Sequence, residues 1–248
     1  MYLLCCPRPR LAALAQSLAE NQIMSLPLPL MDFAPDPEKL AWLTTHINNY
    51  AYVILNSPTV IEYSSAAIKQ AYRPKFFTVG QASADKLRSL TSQEVIYPEM
   101  ASGSLALLTE KLQHLKLIQQ EVLIVKGDLG NLTLPLALET NGISWHALEI
   151  YRRIRLALEP GYLKKILISE GLRGIIITSS MLVEWLLSEA QAEDCLDLLS
   201  RLTFITLHSQ IAQALTDAGM AKVLVTKQAD RRSIAELIRN LHDGYNQS

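Results

Sequence analysis

The chain has 248 residues, 49% of them hydrophobic and 19% charged, with a formal net charge of −1 and three cysteines. At roughly 100–200 residues per domain, this is one large domain or two small ones, with enough apolar material for real cores. The near-neutral balance excludes general affinity for nucleic acid or anionic lipid, and three cysteines, two of them adjacent (Cys5, Cys6), exclude a disulfide framework and fit a reducing compartment. The opening Met1-Tyr2-Leu3-Leu4-Cys5-Cys6-Pro7-Arg8 lacks a basic n-region and is too short for a signal peptide. No uncharged apolar run reaches the ~18 residues a membrane span needs, so a soluble, cytoplasmic protein is expected.

Cys5 falls in a first strand as a small buried hydrophobe, and Leu11, Leu14 and Leu18 follow at helical spacing. Val53–Leu55 and Phe76–Val79 are short, continuous apolar runs of the kind buried on both sheet faces. Leu105, Leu108, Leu112 and Leu115 predict a helix, and Leu123–Val125 the next strand. Ile175–Ile177, Phe204–Leu207 and Val223–Val225 complete the strands, with Ile211 and Leu215 on a helix between the last two. Gly142 and Gly219 stand where helix C-termini need a left-handed residue. Strands alternating with helices specify parallel sheets covered on both faces, and two sheets of about five strands fit the length.

The chain also repeats itself. At a spacing of 120, Leu4 meets Ile124, Leu14 meets Leu134, Leu18 meets Leu138, and Asn21-Gln22-Ile23 meets Asn141-Gly142-Ile143. At 122, Val53-Ile54-Leu55-Asn56-Ser57-Pro58 meets Ile175-Ile176-Ile177-Thr178-Ser179-Ser180. At 128, Phe77-Thr78-Val79 meets Ile205-Thr206-Leu207 and Val95 meets Val223; at 129, Ser104-Leu105-Ala106 meets Ser233-Ile234-Ala235. The drift is small and the order constant, as loop insertions in two copies of one unit would produce. A literal tandem reading cuts the chain near residue 120. The segments Ser25–Pro37 and Glu149–Pro160 also look like connectors, and periodicity does not choose between these layouts.

In open α/β sheets ligands bind beyond the carboxyl ends of strands, where helix N-termini favour anions. The candidates are Asn56-Ser57-Pro58, Gly80-Gln81-Ala82-Ser83, Lys126-Gly127-Asp128-Leu129-Gly130-Asn131, Thr178-Ser179-Ser180 and His208-Ser209-Gln210. Helix capping accounts for any one of them; their recurrence at equivalent strand ends favours a two-sided site facing an inter-domain cleft. The Lys126–Asn131 stretch lacks a full phosphate-loop pattern, and the sequence has no Gly-x-Gly-x-x-Gly, no Gly-x-Ser-x-Gly and no His-x-x-x-His or Cys-x-x-Cys. No nucleotide, metal or cofactor is therefore expected. Tyr151, ahead of Arg152-Arg153, carries a phenol able to donate a proton or hydrogen bond.

Together these stretches resemble the uroporphyrinogen-III synthase family over nearly the whole chain. The family's opening Thr-Arg-Pro is echoed by Pro7-Arg8-Pro9, and its Phe-Thr-Ser by Leu55-Asn56-Ser57 and Ile177-Thr178-Ser179. Its Val-Gly-x-x-Thr-Ala is matched by Val79-Gly80-Gln81-Ala82-Ser83-Ala84. Its later Arg-Gly, the helix to a glycine, and a tyrosine resemble Lys126-Gly127, Gly130 through Gly142, and Tyr151. The second Ile-Gly-Pro-x-Thr-Ala element reads here Leu207-His208-Ser209-Gln210-Ile211-Ala212, without the glycine, proline and threonine, and Lys126 and Asn131 stand in place of arginines.

The resemblance implies two doubly wound, flavodoxin-like parallel-sheet domains joined by two linkers: residues 1–30 with 156–248, and residues 31–155, around a cleft. It implies a monomeric lyase that takes hydroxymethylbilane, handed over by the enzyme that makes it. The bilane would be cyclised with inversion of ring D and loss of water, as in haem and other tetrapyrrole biosynthesis. Ser57, Gly80, Ser83, Lys126, Gly127, Thr178, Ser179 and Ser209 would hold its carboxylates, and Tyr151 would assist departure of the hydroxyl. The rivals are a catalytically inactive homologue, which the altered Leu207–Ala212 element makes credible, and a non-enzymatic two-domain receptor.

Overall fold

A computed structural model covers the chain and describes residues 1–100, 103, 106–107, 110–112, 121–129, 133–228 and 230–245, with backbone only for 242–245. Gly130 and Asn131 of the expected anion loop, Leu105, Leu108 and Leu115 of an expected helix, and Ser104 of the repeat lie outside the described residues. In chain order the strands are β1 (Tyr2–Cys5), β2 (Ser25–Pro27), β3 (Met31–Pro35), β4 (Tyr52–Leu55), β5 (Lys75–Thr78) and β6 (Val95–Ile96). They continue with β7 (Val122–Gly127), β8 (Trp145–Arg155), β9 (Gly174–Ile177), β10 (Thr203–Thr206) and β11 (Lys222–Val225). The contacts divide the chain into two compact units, Met1–Phe33 with Ile154–Ser248, and Ala34–Arg153.

The discontinuous unit holds a five-stranded sheet in the order β11-β10-β9-β1-β2, every neighbouring pair parallel. Side chains alternate between its faces. Leu3, Cys5, Ile175, Ile177 and Phe204 pack on one side against helices Tyr162–Leu167, Ser180–Ala192 and Ser209–Asp217. Tyr2, Leu4, Ile176 and Ile205 pack on the other against helices Arg8–Ala19 and Arg231–Tyr245. Burial on both faces is why these strands read as unbroken apolar runs. It is also why the helices carry one apolar stripe each, Leu11, Leu14 and Leu18 in the first and Ile211 with Leu215 in the later one.

The continuous unit holds six strands in the order β3-β8-β7-β4-β5-β6, of which β8 through β6 are parallel. Ile54, Phe77, Val122 and Ile124 pack on Leu134 and Leu138 of helix Thr133–Thr140. The chain passes between the units at Phe33/Ala34, inside β3, and at Arg153/Ile154, inside β8, so the segments read as connectors are largely strand. Leu156 N donates to Leu30 O and Asp36 N to Ile150 O; these partners run in opposite senses, so β3 lies antiparallel on β8.

The repeat explains both sheets. Its alignments pair β1 with β7, β2 with β8, β4 with β9, β5 with β10 and β6 with β11, and that exchange converts one sheet order into the other. Because the chain enters the two sheets at different strands, the same arrangement counts as 2-1-3-4-5 in the discontinuous unit and, with the antiparallel edge strand β3 set aside, as 3-2-1-4-5 in the continuous one. Both are doubly wound orders, the first being that of flavodoxin. Each repeat gives its first βαβ piece to one unit and its remaining strands to the other. The protein is an α/β fold of two such sheets, and no helix among the described residues is long and apolar enough to cross a membrane.

Candidate functional site

A doubly wound sheet has one place where consecutive connections leave in opposite directions, and a crevice opens there beyond the carboxyl ends of the strands. In the discontinuous unit this place lies between β1 and β9, and in the continuous unit between β4 and β7. At the carboxyl ends of these four strands stand Cys6-Pro7-Arg8, Thr178-Ser179, Asn56-Ser57, and Lys126-Gly127, the last two residues of β7, with the turn residue Asp128. Five of the residues expected from the sequence therefore stand at switch points: Thr178 and Ser179 at one, Ser57, Lys126 and Gly127 at the other.

Ser57 and Ser179 are structurally equivalent. Each is extended and caps the helix that follows: Ser57 Oγ accepts from Val60 N at 3.2 Å, and Ser179 Oγ from Leu182 N at 3.3 Å. Capping uses an acceptor lone pair and leaves the hydroxyl hydrogen to donate elsewhere. Helix Ser180–Ala192 runs for 13 residues, and its first-turn N–H groups have no intrahelical partner. Thr178 N donates to Cys5 O at 3.3 Å, tying the ends of β9 and β1 together.

At the other switch point Lys126 is only 8% exposed, and its Nζ lies 3.3 Å from Glu149 Oε1 on the neighbouring strand β8. A buried ammonium must be paired, and Glu149 supplies that partner from a half-exposed position. One residue on, the β7–β8 ladder is irregular: Lys126 pairs with Glu149, but Gly127 pairs with Tyr151. Tyr151 is 4% exposed, and its ring fills the space beside Gly127, with the Tyr63 ring edge-on at 5.6 Å between centroids and 61° between planes. Arg153 lies over the same ring, its guanidinium carbon 5.8 Å from the centroid, and forms an ion pair with Asp128 at 2.8 Å. Asp128 N donates to Tyr151 O, and Arg153 N to Asp128 Oδ2, both at 3.0 Å, closing the turn onto β8.

The other expected residues stand apart from the switch points. Gly80 precedes helix Gln81–Arg88 after β5, and Ser83, 4% exposed, is buried in that helix's first turn. Ser209 is the exposed first residue of helix Ser209–Asp217 after β10, whose capping position is His208 with no side-chain cap. Of the neighbours of Lys126 and Tyr151, Glu149 and Tyr63 were missed by sequence reasoning, while Asp128, inside the candidate Lys126–Asn131 stretch, and Arg153, beside Tyr151, were named without a role. The repeat held a signal for the latter two, because Arg8 and Asp32 form a 3.2 Å ion pair at positions 120 and 121 residues before Asp128 and Arg153. The copies carry the same link with its charges exchanged. Among the described residues no group of three or more His, Cys, Asp or Glu side chains is placed to hold a metal ion.

The family model described as uroporphyrinogen-III synthase HemD matches residues 12–236 of the chain. Among solved structures, uroporphyrinogen-III synthetase from Helicobacter pylori 26695 superposes with a TM-score of 0.65 at 15% identity, over 97% of this chain and 100% of that one. A mutant uroporphyrinogen III synthase from the extremely thermophilic bacterium Thermus thermophilus gives 0.56 at 16% identity, over 98% of each chain. At such identities the structures establish a shared fold, while the family model spans most of the sequence. The chain belongs to the uroporphyrinogen-III synthase family.

Proposed function

We propose that this protein is a lyase that converts hydroxymethylbilane to uroporphyrinogen III, inverting ring D and releasing water. The observation that carries the reading is the family match across residues 12–236. The switch points support it, because they offer what a flexible polycarboxylate requires: hydroxyl donors at Ser57 and Ser179, the free N–H groups of helix Ser180–Ala192, and the cation of Lys126.

In this reading the terminal C–O bond of the bilane breaks as the Tyr151 phenol gives its proton to the departing hydroxyl, and water leaves. The azafulvene cation left behind closes onto the substituted carbon of ring D. The spiro intermediate then fragments and recloses with that ring reversed. The macrocycle loses a proton, which restores the phenol, so bilane yields macrocycle plus water. The bilane closes unaided to the uninverted isomer, so the protein's contribution is to hold both chain ends in one geometry. That effect supplies roughly 7–11 kcal/mol in favourable intramolecular cases. A substrate carboxylate would compete with Glu149 for Lys126.

The test is to supply bilane freshly from its producing enzyme and resolve the product isomers. Type III product supports the proposal; only the uninverted macrocycle overturns it. The second outcome is that of an inactive homologue, a reading favoured by the altered Leu207–Ala212 element, where His208 makes no side-chain cap. Lys126→Met is expected to raise KM about tenfold, the loss of roughly one charged hydrogen bond, with a smaller effect on kcat.

A further inference from the structure

Gly127 was expected to touch substrate, yet its immediate surroundings belong to Tyr151. A β-carbon built on Gly127 would stand 2.6 Å from both Tyr151 Oη and Cε2, and nearer still to Cζ, which no real packing tolerates. The ladder irregularity between Lys126 and Gly127 is what brings the phenol there. In a regular ladder Ile150 would stand opposite Gly127; the extra residue puts Tyr151 there instead. The ring has little freedom to yield: Tyr63 meets it edge-on at 5.6 Å, and Arg153, anchored by Asp128, covers it at 5.8 Å. The carboxyl end of β7 thus has a floor without a side chain, an aromatic wall and a cationic cover, all around one phenol.

We propose that Gly127 and Tyr63 are positioning residues that aim the Tyr151 hydroxyl, Gly127 by leaving empty the volume the phenol occupies and Tyr63 by walling its ring. The inference rests on the reading of Tyr151 as the proton donor, and the experiment separates the two. General acids contribute about 10²–10⁴-fold in rate, so Tyr151→Phe is expected to lower kcat by at least about a hundredfold with KM little changed. Gly127→Ala, which displaces the phenol, is expected to match that loss, and the Gly127→Ala/Tyr151→Phe double variant to lose nothing further. Tyr63→Leu is expected to lower kcat about tenfold and Tyr63→Phe, which keeps the ring, to restore it; in the Tyr151→Phe background Tyr63→Leu should be silent.

Thermal melts establish that each variant folds, and should Gly127→Ala fail to fold, the Tyr63 series carries the test alone. Losses that simply multiply in the double variants would overturn the inference while leaving Tyr151 in its role, since Gly127 and Tyr63 would then act on substrate or fold directly. Full activity in Tyr151→Phe itself would overturn the reading of Tyr151 and this inference with it.

Discussion

Ser57 and Ser179 cap helices, and mutation can separate that job from the proposed contact with substrate. Each hydroxyl oxygen accepts a first-turn N–H of the helix it caps, so Ser179→Ala is expected to cost about 0.5–2 kcal/mol of stability whether or not substrate is held there. Urea unfolding gives that cost, and a rise in KM beyond it measures the ligand role; Ser179→Asp, which caps but repels carboxylates, should restore stability and still raise KM. The cysteines make a different point, through pH. Burial pushes the Cys6 thiol from 9.0 up to about 12, partly opposed by Arg10, and burial likewise raises Cys5 and Cys195. A thiol that ionises more readily unfolded than folded adds stability that is intact below its unfolded pKa. As pH rises from about 9 toward 12 the unfolded chain releases the proton first and that stability drains away, by about 1.4 kcal/mol per pH unit and per thiol. Between pH 8 and pH 10.5 the protein is therefore expected to lose more stability than Cys6→Ala does, by about 1–2 kcal/mol in urea titrations. Equal slopes would mean that Cys6 is solvated.

The elements read from the sequence were those that bury two faces. Val53–Leu55, Leu123–Val125 and Ile175–Ile177 sit in the middle of their sheets, where both faces require apolar side chains, so their strands stand out as continuous runs. β2 and β3 were not legible because each carries a proline and lies at a sheet edge, where a missing N–H does no harm. β6 has only two residues, and β8 mixes buried, half-buried and exposed positions over eleven, which hides a strand inside an apparent connector. The left-handed helix ends at Gly142 and Gly219 were legible, with φ of +67° and +84°, and the repeat places Gln22, φ +59°, at the position of Gly142. At the candidate site the strand-end hydroxyls could be located from sequence. The partners of Lys126 and Tyr151 could not, because they depend on how β8 registers against β7 and on where helix Pro58–Tyr63 places Tyr63. The ion pair that closes the turn after β7 is largely buried, its Arg153 and Asp128 side chains 24% and 18% exposed. Asp128→Ala removes the carboxylate that Arg153 holds through both its backbone and its guanidinium, and is expected to cost about 1.5–3 kcal/mol. Arg8→Ala, whose side chain is 58% exposed, should cost less than about 1 kcal/mol. Matched urea titrations of the two variants rank the links, and equal costs would remove the distinction drawn from burial.

At the scale of the molecule, the repeat was visible in the sequence, whereas periodicity left the partition of the chain into units open and only the family resemblance implied one. Hydrophobic matching identifies which strands are equivalent, whereas the exchange of the first βαβ piece depends on pairing between strands more than a hundred residues apart, such as β1 with β9. The crossings lie at Phe33/Ala34 and Arg153/Ile154, 120 residues apart, the spacing of the repeat itself, so the exchange happens at one point of the ancestral unit. This makes the continuous unit an insertion into the discontinuous one. Leu156 N bonds Leu30 O at 2.9 Å, and β3 and β8 run antiparallel there, so the ends left by removing residues 34–153 are already neighbours. A two-residue Asn-Gly hairpin suits that junction, because its twist matches antiparallel strands. The shortened chain keeps the whole β11-β10-β9-β1-β2 sheet with the packing on both its faces. It is expected to unfold cooperatively in urea with coincident fluorescence and circular dichroism transitions. It would retain Thr178 and Ser179 yet lack Ser57, Lys126, Gly127 and Tyr151, so any affinity for polycarboxylates should persist without turnover. A broad, probe-dependent transition would mean that the discontinuous sheet needs residues 34–153 to fold, and that the exchange is a requirement for stability rather than a legacy of duplication.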